Sequence, residues 1–346
     1  MTPFEQMQAF NREFSDSRDI YRQMQLWQLK NTPDNGVFFP SGNLYHVSPR
    51  MMTAVMAGKI GHTRVDDMSA DQLNLLRYFW GLHTFGAWRN TLGIYRIDRD
   101  IFSQIIKSPI PDDTPSTVFE RLPEWCVYID MPDRAMGVTT GSGREAVIAG
   151  FWALFDIQNV AGKQQRVLNL VLDIDDDVKT THDAYQPMLV PIHDDMTIRQ
   201  AILSVFDSDM HQVNDALISR ANAETEINII THLLSLLLWL CAEEPDISNI
   251  KGEPISGEQL RMPKYRTNKK TGVFIPPSQP IIYNIGKRLG GEVRQFNAKT
   301  GASDSRISAR KRPHIRRGHW HGVWSGTGQD KQFNIYWQPA IFVNAN

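Results

Sequence analysis

At the start of the chain apolar residues return every three or four positions. Phe4, Met7, Phe10 and Phe14, then Tyr21, Met24 and Trp27, fall on one stripe. Thr2 is a good N-cap, Pro3 suits the first helical position, and Glu5 completes a capping-box pattern. The spacing predicts a helix or helix pair up to Lys30, its stripe packed into a core. Residues 31–49 hold three prolines and two glycines and predict a connecting loop. Ser69 then caps a second helical region carrying Leu73, Leu76, Phe79, Trp80 and Leu82, which runs on into 86–95.

Past a proline-rich passage the pattern becomes strand-like. Segments 125–129, 148–157 and 167–174 are separated by glycine-containing stretches and predict an antiparallel meander. Thr197 caps a helix with Ile198, Ala201, Ile202, Val205 and Phe206 on one face. The most apolar run, 227–242, spans sixteen residues, carries Asn228, Thr231 and His232, and is flanked by Glu224, Glu226, Glu243 and Glu244. A membrane helix needs roughly 20 apolar residues. Apolar nearly all the way round, this run predicts a buried core helix that Pro245 ends. Residues 278–289, followed by Gly290 and Gly291, predict a short helix stopped by glycine. Residues 294–312 are basic and poor in apolar side chains, and predict a segment that is mobile unless bound. The tail predicts a β-hairpin, with strands 319–324 and 333–337 around Ser325, Gly326, Thr327 and Gly328.

Together these elements define an α+β chain. A helical N-terminal region covers 1–120, a central antiparallel sheet with buried helices covers 121–248, and a basic C-terminal module with the hairpin covers 249–346, either separate from the rest or continuous with it. A hydrophobic content of 41% over 346 residues supports a substantial core. Cys126 and Cys241 lie inside apolar runs, which suits buried thiols in a reducing compartment better than a disulfide framework. The N-terminus lacks a secretory signal pattern, so a cytoplasmic location and no membrane partner are expected.

Charge changes this picture in one place. Residues 261–317 hold fifteen Lys or Arg against two acids, a net of +13, while the whole chain is at −1, so the remainder carries −14. An acidic body with a basic C-terminal segment points to a polyanionic partner such as RNA, or to an internal match between the two parts. Lys311, Arg312, Arg316 and Arg317 are candidates for phosphate contact, with Trp320 and Trp324 for base stacking.

The same tail offers titratable groups. On a strand His319 and His321 share one face and Trp320 with Trp324 the other. His314, His319 and His321 are the candidates for general acid and base in RNA cleavage, with Arg316 and Arg317 beside them to stabilise charge on a phosphorane-like state. The bland alternative is a packed hairpin whose histidines serve structure. A metal is not expected here, because the arginines oppose a cation and no carboxylate or cysteine adjoins. Asp173, Asp175, Asp176 and Asp177 lack the spacing of a calcium loop and predict a solvated strand end. The glycine pairs lack a phosphate-loop setting, and no cofactor is expected.

Long blocks of the chain carry a resemblance. Residues 86–95 (Gly-Ala-Trp-Arg-Asn-Thr-Leu-Gly-Ile-Tyr), 122–128, 238–247, 286–294 and the tail 312–328 are similar to the second described family of type V-A anti-CRISPR proteins, which phages and plasmids carry. The similarity extends from about Phe10 to Val343. It implies a protein that blocks production of the type V-A effector nuclease: it recognises the effector's nascent N-terminal polypeptide and lowers the level of its message. Such a protein needs a peptide-reading surface and an element that reaches mRNA, the ribosome or a host ribonuclease. Trp88, Arg89, Tyr95, Trp125 and Trp152, in or near the family-like blocks, are the candidates for peptide reading, since aromatic and arginine anchors dominate interface energetics. The resemblance assigns no catalytic residue. The alternative to this binding protein is a ribonuclease or RNA-binding protein of a mobile element that uses the His, Arg and Trp of the tail.

Overall fold

A computed structural model describes residues 1–31, 40–57, 69–139, 145–160, 163–175, 187–206, 223–261, 266–301 and 314–343. The N-terminal stripe becomes α1 (Pro3–Glu13) and α2 (Ser17–Asn31), and α1 opens on the expected Thr2–Glu5 capping box. The expected loop over 31–49 contains, within its described part, the short helix α3 (Leu44–Val47), followed by α4 (Pro49–Met56). Ser69 and Gln72 form a second capping box at the head of α5 (Ala70–Trp88). Its second half is buried on every side, and Gly81 is where α1 crosses it: a Cβ there would lie 2.1 Å from the Phe10 ring.

The strands follow. They are β1 (Gly93–Ile97), then after α6 (Arg99–Ile105) β2 (Cys126–Asp130), β3 (Met136–Thr139), β4 (Glu145–Val160), β5 (Lys163–Asp175) and β6 (Pro187–Pro191). Next come α7 (Ile198–Ser204), α8 (Ala223–Cys241), β7 (Ile247–Asn249), α9 (Gly257–Arg261), β8 (Arg266–Thr267), β9 (Phe274–Ile275), β10 (Ile281–Ile285) and α10 (Lys287–Gly301). The tail holds β11 (His314–Arg316), β12 (His319–Ser325), β13 (Gln332–Gln338) and β14 (Ile341–Val343).

The expected meander exists as β2, β4 and β5, paired antiparallel. It belongs to a larger mixed sheet of order β6-β5-β4-β2-β1-β10-β7, with β3 on β4, in which β1 runs parallel to both β2 and β10. Thus strands from all three expected segments join one sheet. The helix expected over 278–289 is corrected to strand β10 followed by α10. Ile281, Ile282, Tyr283 and Ile285 are β-branched or aromatic and favour extended backbone, and the turn comes at Gly286, which has φ +68°. The glycine pair that should have stopped a helix lies inside α10 instead: a Cβ on Gly290 would come 2.0 Å from Asp98 Oδ1, so the close packing needs glycine.

Alternate residues of each central strand serve two cores. Val127, Ile129, Phe151 and Leu168 face α6, α7, α8 and α10, whereas Cys126, Tyr128, Trp152 and Leu154 face α1 to α5. The apolar run is the heart of the first layer: residues 233–241 of α8 are all within 1% of full burial. Cys126 and Cys241 are both buried, and neither forms a disulfide. Asp173, expected on a solvated strand end, is a correction: it is buried and accepts hydrogen bonds from Tyr128 Oη at 2.6 Å and Gln6 Nε2 at 2.8 Å. Asp175 pairs with Arg134, and Asp176 and Asp177 lie outside the described residues.

Candidate functional site: the C-terminal hairpin and the aromatic blocks

Strands β12 and β13 pair from His319↔Gln338 to Ser325↔Gln332. The turn between them contains Gly326 and Gly328 with φ of +82° and +63°. Period two fixes the faces. Inward go Trp320, Gly322, Phe333, Ile335 and Trp337; outward go His319, His321 and Val323 with Asn334, Tyr336 and Gln338 across from them.

The inward face docks the hairpin on α8. Trp320, Trp337 and Trp239 form a triangle with ring centroids 5.0, 5.4 and 6.0 Å apart. Trp320 Nε1 donates to Ser235 Oγ at 2.9 Å, and Ser235 Oγ donates to the Ile105 carbonyl at 3.3 Å. Edge groups are also satisfied. Gly318 and Trp320 N–H donate to Gln104 Oε1 and Ser108 Oγ of the α6 region, while Glu243 N–H and the Arg121 guanidinium donate to the Ile335 and Phe333 carbonyls. A Cβ on Gly318 would meet the Trp337 ring at 2.5 Å, which records how closely the strand is seated.

Trp320, expected to stack on a base, is therefore a core residue, 4% exposed, whereas Trp324 is 47% exposed. Trp324 packs on Phe333 and donates to Asp113 Oδ2 at 3.1 Å. Arg316, Arg317, His319 and His321 are all exposed. Lys311 and Arg312 lie outside the described residues, as does the side chain of His314, whose backbone begins β11. The histidines thus stand on an open face with a tyrosine and two amides. Among the described residues no group of three or more His, Cys, Asp or Glu collects in metal-binding geometry. Among the described residues this surface offers hydrogen-bond donors, the rings of His319, His321 and Tyr336, and cations, with no assembled acid–base pair and oriented nucleophile. Tyr336, Asn334 and Gln338 were missed from sequence, although the alternation in 333–337 held the signal.

The basic window divides. Arg294 is held by Asp98 at 2.9 Å and Asp100 at 2.6 Å, and Arg288 by Glu292 at 2.9 Å, so part of the positive charge is matched inside the fold. Those hydrogen bonds to Asp98 and Asp100 push the Arg294 pKa further up. Arg266, Lys269 and Lys270 instead stand exposed on the β8–β9 turn, which Asn268 Oδ1 braces by accepting from Lys270 N–H at 2.9 Å.

The expected peptide-reading block is mostly corrected by burial. Trp88, Tyr95 and Trp152 are fully buried and pack the sheet: Trp88 Nε1 donates to the Gly93 carbonyl at 2.9 Å, Trp152 lies 4.8 Å from Tyr128, and Tyr95 stacks on Tyr283 at 4.9 Å. Tyr95 also donates to Glu124 Oε1 at 2.8 Å, and burial raises its pKa well above the usual phenol range. Trp125 is partly exposed and meets Phe274 edge-on at 5.3 Å. Arg89 is half-buried over Tyr21. An open groove of about 720 Å³ lies elsewhere, between α1, α4 and α5, lined by Phe14, Arg50, Thr53, Ala54, Asp71 and Leu75.

Comparison with known proteins defines the class. A crystal structure of AcrVA2 superposes with a TM-score of 0.76 at 36% sequence identity, covering 99% of this chain and 98% of that one, which marks an anti-CRISPR protein of type V-A. Residues 95–345 match the AcrVA2-like family, described as Anti-CRISPR type V subtype A2 family, and the chain belongs to that family. No curated protein matches.

Proposed function

We propose that this protein lowers production of the type V-A effector nuclease in the host cytoplasm by engaging the effector's nascent N-terminal polypeptide and reducing the level of the message being translated. Membership of the type V subtype A2 family over residues 95–345 carries the reading. The outward face of β12–β13 gives it physical support. A hairpin anchored by the Trp239–Trp320–Trp337 triangle presents His319, His321 and Tyr336 on a rigid base, with Arg316 and Arg317 at its entrance. Cations and flat rings on one ordered surface suit contact with mRNA or ribosomal RNA, whether the message is then lost directly or through a host ribonuclease.

The test uses cells expressing the effector with and without the protein, with message measured directly. Message should fall for the native reading frame and survive when a compensated frameshift changes the first residues of the peptide but hardly the nucleotides. Equal loss of the frameshifted message would sink the peptide-dependent reading.

A further inference from the structure

Arg89 occupies the C-cap of α5, where a cation meets the negative end of the helix dipole. Its guanidinium carbon lies 5.2 Å from the centroid of the Tyr21 ring. Tyr21 is buried and fixed, its hydroxyl donating to Asn11 Oδ1 at 3.1 Å. The next residue, Asn90, is consumed inside the fold: it accepts from Gln25 Nε2 and donates to the Gly86 and Ala87 carbonyls. In the same helical layer Arg77 forms a two-point pair with Glu13, and Arg50 lies over the Phe14 and Tyr78 rings but is exposed, whereas Arg89 is half-buried. The Arg89 guanidinium lies over the Tyr21 ring and makes no hydrogen bond or ion pair among the described residues. Burial lowers its pKa, Tyr21 opposes that shift, and the nearby charge of Arg18 adds to it.

A cation–π contact with a ring does not use up the N–H donors of a guanidinium fork, which can still bind an anion. A partly desolvated cation with no carboxylate partner gains from an anion that joins it. One planar carboxylate completes the fork with two parallel charge-assisted hydrogen bonds.

We propose that Arg89, held over Tyr21 at the C-cap of α5, is the recognition site for a single carboxylate of a peptide partner. The partner class rests on the peptide-binding reading above. A nucleic-acid backbone is the weaker fit, because phosphates in series are tracked by rows of solvated cations, such as Arg266, Lys269 and Lys270 on the β8–β9 turn, whereas Arg89 is half-buried.

Two measurements on the full chain test this. In the first, arginine Nε–Hε resonances are followed while acetate, inorganic phosphate or chloride is added at matched ionic strength, with Arg89→Lys assigning the Arg89 signal. Acetate should shift that signal saturably and chloride should not; a response to phosphate with none to acetate overturns the carboxylate assignment. In the second, synthetic peptides spanning the effector's first residues are titrated by calorimetry, each Asp or Glu replaced in turn by Asn or Gln. One replacement should weaken binding to the wild-type protein by about tenfold or more, and much less in Arg89→Lys. If the native peptide binds and no such replacement matters, the carboxylate site is wrong while the peptide reading stands. If the peptide does not bind yet acetate shifts Arg89, the anion site stands and the peptide reading fails. Changes on the peptide leave the protein intact, so an unfolded Arg89→Lys variant does not block the decision.

Discussion

The molecule has two tryptophan clusters, one on each side of its sheet: one is sealed between layers, and the other backs a strand whose far face meets solvent. Trp88, Tyr128 and Trp152 lie beneath α5 and are sealed, with Phe85 closing on Trp152 at 5.5 Å. Trp239, Trp320 and Trp337 lie beyond α8, and one of the strands that supplies them turns its other side outward with His319 and His321. Both clusters stand in aromatic-rich sequence next to arginines. What distinguishes them is parity: a strand with one face docked must show the other to water, whereas a strand between two helical layers shows neither. Density of aromatic residues marks burial here, and the exposed half of a docked hairpin marks the candidate surface.

The largest expected effect would break the anchored side of that comparison. Trp320→Ala removes a buried indole and the hydrogen bond it donates to Ser235, and should cost about 3–5 kcal/mol in urea unfolding. Trp324→Ala, on the half-exposed end of the same strand, should cost about 1 kcal/mol or less. Equal losses would mean that the hairpin is not seated through Trp320.

The outward side is tested by salt. If Arg316 and Arg317 each contact a phosphate of single-stranded RNA, the double change to Gln should reduce the slope of log K against log salt by about 1.4. Between 50 and 200 mM salt that difference is about sevenfold in affinity. An unchanged slope in a filter-binding titration removes both residues from the phosphate-contact set.

Much of this was legible in the chain. Capping boxes at Thr2 and Ser69, the core helix, the meander and the hairpin all follow from local chemistry, and the period-two assignment of His319 and His321 opposite Trp320 holds. Three things were not. Strand β10 pairs in parallel with a strand nearly 190 residues earlier, Gly93↔Ile281 at the start of the register, and no local pattern announces such a partner. Trp88, Tyr95 and Trp152 look the same in sequence whether they face a groove or a second helical layer. The pairing of Arg294 with Asp98 and Asp100 depends on how α10 packs against α6, so a linear charge count could not separate matched cations from exposed ones.

A smaller effect compares carboxyl groups attached to the two sides. Asp173 beside Tyr128 has hydrogen-bond partners; Glu226 at the head of α8 has a buried oxygen, Oε2, with none among the described residues. Burial pushes the Glu226 carboxyl from 4.5 up to about 7. A folded-state value above the unfolded one means that the native protein holds the proton more tightly. Its contribution to stability is therefore fullest below pH 4.5 and is lost as pH rises towards 7. Glu226→Gln should match wild type in melting temperature near pH 4 and exceed it at pH 8. A variant less stable than wild type at pH 8 would show that the ionised carboxylate is stabilised by its surroundings.

The smallest expected change falls on the histidine face. His321→Ala alters an exposed side chain opposite Tyr336, and its unfolding free energy should stay within about 0.5 kcal/mol of wild type. Because stability is preserved, activity can be read without a folding correction. A general acid or base contributes about a hundredfold or more to rate, whereas one contact on a binding face costs far less. If the face supplies contacts as proposed, message loss in cells should weaken only modestly in the variant. The opposite result is unambiguous: RNA cleaved by the purified wild-type protein alone, and left intact by a well-folded His321→Ala variant, would make the outward face of the hairpin a ribonuclease site.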